Sequence, residues 1–374
     1  MSTLNFNHTV KLETEADQQH VKVNHKILSI QYLRGIAAIL IILFHSTALI
    51  GPDWKSIVRN GMVGVDVFFI MSGFIIYYIT TNKSEITPRK FFTKRFFRIF
   101  PPFIFVWFIV SCVSYQNTPF IEVIKSLLLF HTDYNSSAPA FQFNLIGPAW
   151  TLTYEIYFYA IFCFAGFVTY KYRGLTSSLM LIFIPILLQL YFNGSFSYQA
   201  NIKANFHLTS ILQAPLKILS NAMLWEFTGG IALAFLFLKY RKGLNRINYS
   251  IRAVTSIILL TIFIQQIFFA NVHPQGIGGL FWPSLALVTS ALIAEDLFSF
   301  EVKSLSFLGD ISYSLYLSHW SIIKIFVTFY PTSWNNSHGV AGLVAFIAIC
   351  ILVSYIMYVA IEKPSIRLAR KLLS

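Results

Sequence analysis

Ten stretches of mostly apolar residues divide the chain, and short polar or basic segments separate them. A helix needs about twenty apolar residues to span the hydrocarbon of a bilayer. The stretches lie near 27–50, 61–81, 101–115, 148–169, 175–192, 219–238, 252–270, 279–298, 309–329 and 340–361. The third and fifth are short, and a further stretch, 119–130, is interpreted as an interfacial helix because it contains charged residues. Long apolar runs without strict alternation predict an all-α polytopic membrane bundle of about ten transmembrane helices rather than a β-barrel.

The composition supports a membrane protein over a soluble one. Of the 374 residues, 56% are hydrophobic and only 11% are charged, whereas soluble domains carry about 25% charged residues. A net charge of +13 would suggest nucleic acid as a partner of a soluble protein. Here the basic residues cluster between apolar runs, so they are interpreted as topology signals, and no nucleic-acid partner is expected. Cys112, Cys163 and Cys350 are far apart and lack ligand spacing, so neither a metal site nor a disulfide framework is predicted.

Basic residues collect on one side of the predicted bundle when the N-terminus is placed in the cytoplasm. They follow the second, fourth, sixth and tenth apolar stretches, whereas the opposite loops hold few. The prediction is therefore that both termini are cytoplasmic. Residues 1–26 are polar and show no apolar periodicity, which predicts a flexible cytoplasmic tail before a single membrane domain at 27–362. Residues 363–374 are predicted to form a basic cytoplasmic tail.

Arg34 and His45 are the first candidate site residues, because ionisable groups inside a bilayer are costly and are often functional. They are eleven residues apart, and three helical turns take about 10.8 residues, so they share one face about 16 Å apart along the axis. A guanidinium suits a phosphate, and an imidazole suits proton transfer near neutral pH. The structural alternatives are an arginine that reaches the inner interface and a hydrogen-bonded core histidine.

Further ionisable residues are predicted to lie at one depth on separate helices. Asp66, Glu155, Glu226 and His319 fall in a similar layer, with Lys324 near it. We expect them to form a shared site, and separate helix-to-helix hydrogen bonds are the alternative. Arg95 and Arg98 are three residues apart, so they share a helical face just before Pro101 and Pro102. They are interpreted either as a grip for phosphate at the cytoplasmic surface or as ordinary topology charge.

Several ordered motifs together resemble the membrane acyltransferase 3 family, in particular its exopolysaccharide-production and O-acetyltransferase branch. The resemblance covers nearly the whole membrane portion and leaves 193–218 without a matching motif. Its parts are Ser29 to Ala38 leading to His45 (an R-x10-H pattern), Gly64 to Phe74, Lys94 to Pro102, Pro148 to Glu155 (similar to W-[ST]-L-x-x-E), Gly309 to His319, and Glu362-Lys363-Pro364.

The resemblance implies an integral-membrane O-acyltransferase of the bacterial inner membrane. The implied donor is acetyl-CoA or another short acyl-CoA, and the implied acceptor is a hydroxyl of an extracytoplasmic or lipid-linked carbohydrate. It also implies that His45 is catalytic and that Arg34, Arg95 and Arg98 bind the donor or maintain the structure. No metal is implied. Some relatives carry an additional C-terminal hydrolase-like domain, which is not recognised in this sequence.

The expected chemistry is attack of a sugar hydroxyl on a thioester carbonyl. His45 would act as the base, and Glu155 or Asp66 would orient its ring as in a catalytic triad. His319 is a second candidate catalytic residue, and an acyl-His45 intermediate remains open beside direct transfer. The alternative from another class is a proton-coupled transporter or flippase for a glycan precursor, which would also need buried ionisable groups. The sequence shows no internal repeat and no paired broken helices of the kind that transporters often contain.

Overall fold

All the regular secondary structure of the described residues is helical, and loops join the helices. The computed structural model describes residues 27–49, 58–81, 87–244, 246–269, 274–297, 300–336 and 339–373, and within these ranges there is no strand. The longer helices are α1 (Leu28–His45), α2 (Val63–Thr81), α3 (Pro88–Ser114), α5 (Trp150–Val168), α6 (Arg173–Asn193), α8 (Trp225–Leu244), α9 (Tyr249–Ile264), α10 (Phe281–Ala294), α11 (Lys303–Phe329) and α13 (Val340–Met357). The shorter helices are α4 (Phe120–Leu127), α7 (Ala214–Leu219), α12 (Pro331–Asn336) and α14 (Lys363–Lys371).

Eight of the described helices are long and apolar enough to cross a membrane. They correspond to all the predicted segments except the eighth and ninth. At those two positions α10 is a shorter apolar helix of 14 residues, and α11 is a long helix that carries more polar residues. The protein is therefore a multi-pass, all-helical membrane protein, and the count of ten spans stays a prediction. Residues 1–26, predicted as a tail, lie outside the described residues.

Helix α3 begins thirteen residues before the predicted segment, so the predicted start at residue 101 is wrong. Thr87 caps the helix by accepting a hydrogen bond from Lys90 N (3.3 Å), and Pro88 occupies the first turn, where its missing N–H costs nothing. Pro101 cannot donate to Phe97 O, and Ser365 Oγ, on α14, donates to that oxygen instead. The arginines of the basic cluster therefore lie on the helix, not in a segment before it.

Glycine contacts bring the central helices unusually close together. A Cβ at Gly230 on α8 would lie 1.9 Å from Ile70 O on α2, and one at Gly73 would lie 2.1 Å from Phe227 O. The same relation joins α1 to α11, where a Cβ at Gly309 would lie 2.1 Å from Gln31 O. Small residues allow helix backbones in a membrane to approach in this way. A Cβ at Gly64 on α2 would likewise lie 2.5 Å from Ala37 O on α1, so α1 packs closely against both α2 and α11.

The two ends of the bundle differ in chemistry. The end at which α1 begins, here the basic end, holds the start of α3 and also α14, which packs against α3. The opposite end, here the loop end, holds 115–149, 194–224 and 274–280. Buried asparagines anchor these loops: Asn144 Nδ2 donates to Ser126 O and Phe130 O (both 2.9 Å). The cytoplasmic location of the basic end follows from the distribution of charge and stays a prediction.

Candidate active site

A cavity of about 80 Å³ lies between α1, α2, α3, α5 and α11. Three arginines from two helices line it: Arg34 from α1, and Arg95 and Arg98 from α3. The structure therefore brings together the three residues that the sequence singled out for donor binding. The other polar residues in its wall are Ser72, Thr151, Glu155, Tyr159, Ser312, Tyr313 and Tyr316.

The cavity carries excess positive charge. Among the described residues, none of the three guanidinium groups has a carboxylate within 4.0 Å. Glu155, the only acid in the wall, accepts hydrogen bonds from Ser72 Oγ (3.1 Å) and from the hydroxyl of Tyr159. Arg95 lies over the rings of Phe91 and Tyr159 at 5.8 and 5.3 Å. Counted over the wall residues alone, three cations face one anion, and Asp310 and Glu362 also act electrostatically on Arg34 from outside the wall. The wall itself is therefore cationic, which suits an anionic ligand.

The cavity adjoins a second space. The centres of water-sized molecules can occupy about 80 Å³ of the cavity. An adjoining groove of about 320 Å³ lies between α3 and α5 and shares Arg95, Ile99 and Tyr159 with the cavity wall. A long ligand held by the arginines would therefore occupy the groove or widen the cavity.

His45 and His319 form a direct pair near the middle of the bundle. His319 Nε2 lies 3.1 Å from His45 Nδ1, and the two rings are stacked with centroids 5.1 Å apart. His319 Nδ1 lies 3.2 Å from Leu315 O. A carbonyl can only accept, so the neutral His319 ring carries its hydrogen on Nδ1 and accepts on Nε2. His45 must then donate from Nδ1, which leaves the lone pair of His45 Nε2 as the basic site.

Tyr316 stands between the cavity and the histidine pair. Its ring lines the cavity and lies 6.2 Å from the ring of His319. Its hydroxyl donates to Pro148 O (2.7 Å) and lies 2.6 Å from Thr151 Oγ1. His45 is not part of the cavity wall. The arginines and the histidines are thus separate parts of one site, and one tyrosine ring divides them.

The predicted contact between His45 and a carboxylate is wrong, because both acids bond to other groups. Glu155 belongs to the arginine cavity. Asp66 Oδ1 accepts from Gly276 N (2.9 Å). Its other oxygen and both oxygens of Glu226 are buried without a hydrogen-bond partner among the described residues, and the two carboxyl groups influence each other electrostatically. Asp66 and Glu226 are both fully buried. The glycine contacts between α2 and α8 turn Asp66 toward Glu226 rather than toward α1.

The predicted single layer of ionisable residues is therefore three clusters. These are the arginine cavity with Glu155, the His45–His319 pair, and the Asp66–Glu226 pair. Lys324 belongs to none of the three clusters and lies beside the aromatic rings of Tyr115 and Trp320. Depth alone could not separate the clusters, because it does not determine which neighbour each helix face meets.

Three polar residues of the site were missed from the sequence. Tyr159 is four residues after Glu155, so their contact could have been found from helical spacing. Tyr316 is three residues before His319, which is also a helical neighbour position. Glu362 is buried and accepts from Ser314 Oγ (2.6 Å), and no local spacing indicates that contact because the two residues lie on different helices.

Comparison with known proteins identifies the family. A family model described as an acyltransferase domain matches residues 27–359. The chain is 25% identical over 352 residues to a Komagataeibacter xylinus protein named as a membrane-bound transacylase, BcsY, with 89% of this chain and 81% of that relative covered. It is 26% identical over 352 residues to the O-acetyltransferase OatA of Staphylococcus aureus, with 84% of this chain and 54% of the relative covered.

A shorter match joins the chain to the exopolysaccharide production protein ExoZ of Rhizobium meliloti, at 28% identity over 138 residues, covering 35% of this chain and 41% of that relative. The chain thus spans only about half the length of the O-acetyltransferase. No solved structure matches it. Because the family model covers nearly all of the helical bundle, the chain belongs to the membrane acyltransferase 3 family.

Proposed function

We propose that the protein transfers a short acyl group, with acetyl the first candidate, from an acyl-CoA to a hydroxyl of a carbohydrate on the loop end. The observation that carries the proposal is the hydrogen-bonded chain from Leu315 O through His319 to His45, which leaves one imidazole nitrogen as a base. This arrangement supplies the proton acceptor that acyl transfer to a hydroxyl requires.

In the proposed step, the hydroxyl oxygen of the acceptor forms a bond to the thioester carbonyl carbon. The hydroxyl proton passes to His45 Nε2, the carbon–sulfur bond breaks, and the CoA thiolate takes that proton as it leaves. His319 accepts from His45 Nδ1, so it holds the ring in one orientation and stabilises the imidazolium that forms without taking up a proton, which is the orienting role of the acid in a triad. An acyl-His45 intermediate would use the same nitrogen as a nucleophile, and the two routes differ in whether labelled acyl group remains on the protein.

The arginine cavity is the proposed donor site. CoA carries several phosphates, and the guanidinium groups of Arg34, Arg95 and Arg98 can each form paired hydrogen bonds to them. Arg34 and His45 stand about 16 Å apart along α1. This separation lets the phosphates remain at the arginines while the acyl end extends toward the histidines.

The test is transfer of labelled acetyl from acetyl-CoA to an oligosaccharide by the full chain in nanodiscs. His45→Ala should lower turnover at least about 100-fold, because general-base catalysis contributes about 10²- to 10⁴-fold. His319→Gln should lose less, since an amide can still accept from His45 Nδ1. His207, an exposed loop residue, provides the control His207→Ala, which should leave turnover unchanged.

Undiminished turnover in folded His45→Ala protein would remove His45 from the mechanism. Release of free CoA together with a labelled glycan also separates this function from a transporter, which would produce neither.

A further inference from the structure

Lys324 lies in an aromatic cluster directly beside the histidine pair. The ring of Trp320 is 5.5 Å from the ring of His45. Lys324 Nζ lies 5.4 Å from the Trp320 ring and 5.5 Å from the Tyr115 ring. Tyr115 is held in place by a hydrogen bond from its hydroxyl to Leu145 O (3.0 Å). The cluster therefore lies between His45 and the loop end of the bundle.

The Lys324 ammonium has unused binding capacity. Among the described residues it has no carboxylate within 4.0 Å and donates no hydrogen bond. The Trp320 indole N–H is also buried without a partner there. Buried polar groups usually have a hydrogen-bond partner. The buried Trp320 N–H without one, next to the half-buried Lys324 ammonium, therefore indicates a place where a ligand supplies acceptors.

The other described lysines of the loop end are already bonded within the protein. Lys125 pairs with Glu122 Oε1 at 2.6 Å. Lys203 Nζ donates to Asn135 O at 2.8 Å, and Lys217 Nζ donates to Phe206 O at 2.5 Å. A lysine that only extended toward the membrane interface would not need to lie against two rings next to the proposed base. Lys324 is thus the described lysine at this end that remains available for an anion.

We propose that Lys324, Trp320 and Tyr115 form the acceptor subsite, and that the acceptor is an anionic carbohydrate. A sugar ring would pack on the aromatic faces, and Lys324 would bind a carboxylate or phosphate on the sugar. Because one indole ring separates Lys324 from His45, the charged group lies about one sugar unit from the hydroxyl that is acylated. This inference rests on the proposed acyl transfer and adds a class of acceptor to it.

The test measures how tightly the full chain in nanodiscs binds three forms of one disaccharide. One carries a uronic acid, one is the neutral methyl ester of that acid, and one is a disaccharide phosphate. Wild-type protein should bind both anionic forms about tenfold more tightly than the ester, as expected for a charge-assisted hydrogen bond. Lys324→Gln should remove that preference, and Lys324→Arg should keep most of it.

Lys239 provides a matched control at the basic end. Its Nζ also lies over two aromatic rings, those of Phe235 (5.8 Å) and Tyr240 (5.2 Å). Lys239→Gln should change none of the three affinities. Equal binding of all three disaccharides by the wild type, or an unchanged preference in Lys324→Gln, would overturn the inference.

The affinity for the disaccharides is measured without acyl-CoA, and acyl transfer is measured with it. The two proposals can therefore fail separately. Continued transfer without any preference for charge would overturn the acceptor class and leave the transferase proposal intact. A charge preference that depends on Lys324, without transfer from acetyl-CoA, succinyl-CoA or propionyl-CoA, would overturn the acyl-CoA transferase. Comparing the uronic acid with the disaccharide phosphate also shows which of the two anions the site binds more tightly.

Discussion

Tyr316 is the position at which the structure makes its sharpest prediction. Tyr316 lines the arginine cavity, and its ring lies 6.2 Å from that of His319, so we expect an acyl group that passes from the cavity to His45 to displace the ring. Tyr316→Phe removes the hydroxyl but keeps the ring. Pro148 O does not lose all its partners, because Thr151 Oγ1 also donates to it at 3.1 Å. The substitution therefore weakens the hold on the ring without leaving a buried carbonyl unpaired.

The size of the effect follows from the two hydrogen-bond contacts of the hydroxyl, to Pro148 O (2.7 Å) and Thr151 Oγ1 (2.6 Å). A typical intramolecular hydrogen bond contributes about 0.5–1.5 kcal/mol net. The hydroxyl hydrogens of Tyr316 and Thr151 can serve only two of the three contacts among Tyr316, Thr151 and Pro148 O, so the substitution removes one hydrogen bond net. The displaced ring is then favoured by about 0.5–1.5 kcal/mol, which corresponds to roughly a 2- to 13-fold larger open population. Apparent donor affinity should rise by a similar factor, because a ligand that binds only the open state binds in proportion to its population.

The assay is the initial rate of acetyl transfer over a range of acetyl-CoA concentrations, with thermal unfolding measured in parallel. Tyr316→Phe should lower KM for the donor at least about twofold. Tyr154→Phe is the matched control, because Tyr154 is also fully buried and its hydroxyl also bonds a proline carbonyl, Pro139 O at 3.2 Å, away from the cavity wall. An unchanged or higher donor KM in folded Tyr316→Phe protein would refute the barrier. A large fall in kcat would instead show that the hydroxyl acts in the chemical step.

Three other substitutions test separate parts of the structure. Arg98→Gln should raise KM for acyl-CoA roughly tenfold with little change in kcat, because a hydrogen bond to a charged group contributes about 1.5–3 kcal/mol; a kcat loss at unchanged KM would contradict a donor-binding role. Burial lowers the pKa of His131, in a loop, to about 4, so stability should fall as the pH drops from about 6.5 to 4, by up to about 3 kcal/mol. His131→Phe should make the free energy of loop opening, measured by hydrogen exchange, less dependent on pH. An unchanged pH dependence would show that another group causes it. Gly230→Ala should lower the unfolding temperature, because its Cβ would lie 1.9 Å from Ile70 O; the exposed Gly243→Ala, with open space around it, is the control.

The sequence predicts most of the helices because the bilayer sets their length. An apolar run of about twenty residues has few other stable structures in lipid, since every backbone group must be bonded within the segment. Helix α3 is the exception. Its first three turns carry Lys90, Lys94, Arg95 and Arg98, so an apolar window excludes them although the Thr87 cap and Pro88 begin the helix there. Local capping signals were the better guide at this boundary.

The sequence predicts less of the site, because contacts between helices decide it. The eleven-residue spacing places Arg34 and His45 on one face of α1, which follows from helical geometry alone. It does not show that the partner of His45 is His319 on α11, 274 residues away. That contact depends on the close packing of α1 and α11 at Gly309. The same reasoning explains why Asp66 was assigned to the wrong partner.

The charge distribution along the bundle explains how one site could serve two anionic substrates without exchanging them. Arg34, Arg95 and Arg98 give the cavity a surplus of positive charge, and Lys324 holds another cation on the far side of the histidines. The residues between them carry no fixed charge. His319 and His45 bond each other, and the Tyr316 hydroxyl bonds Pro148 O. Moving a phosphate or carboxylate through this middle would cost the desolvation of a charge with no cation beside it. Under the proposed function, each anion is therefore held at its own end, and an uncharged acyl group such as acetyl crosses the region of the histidines.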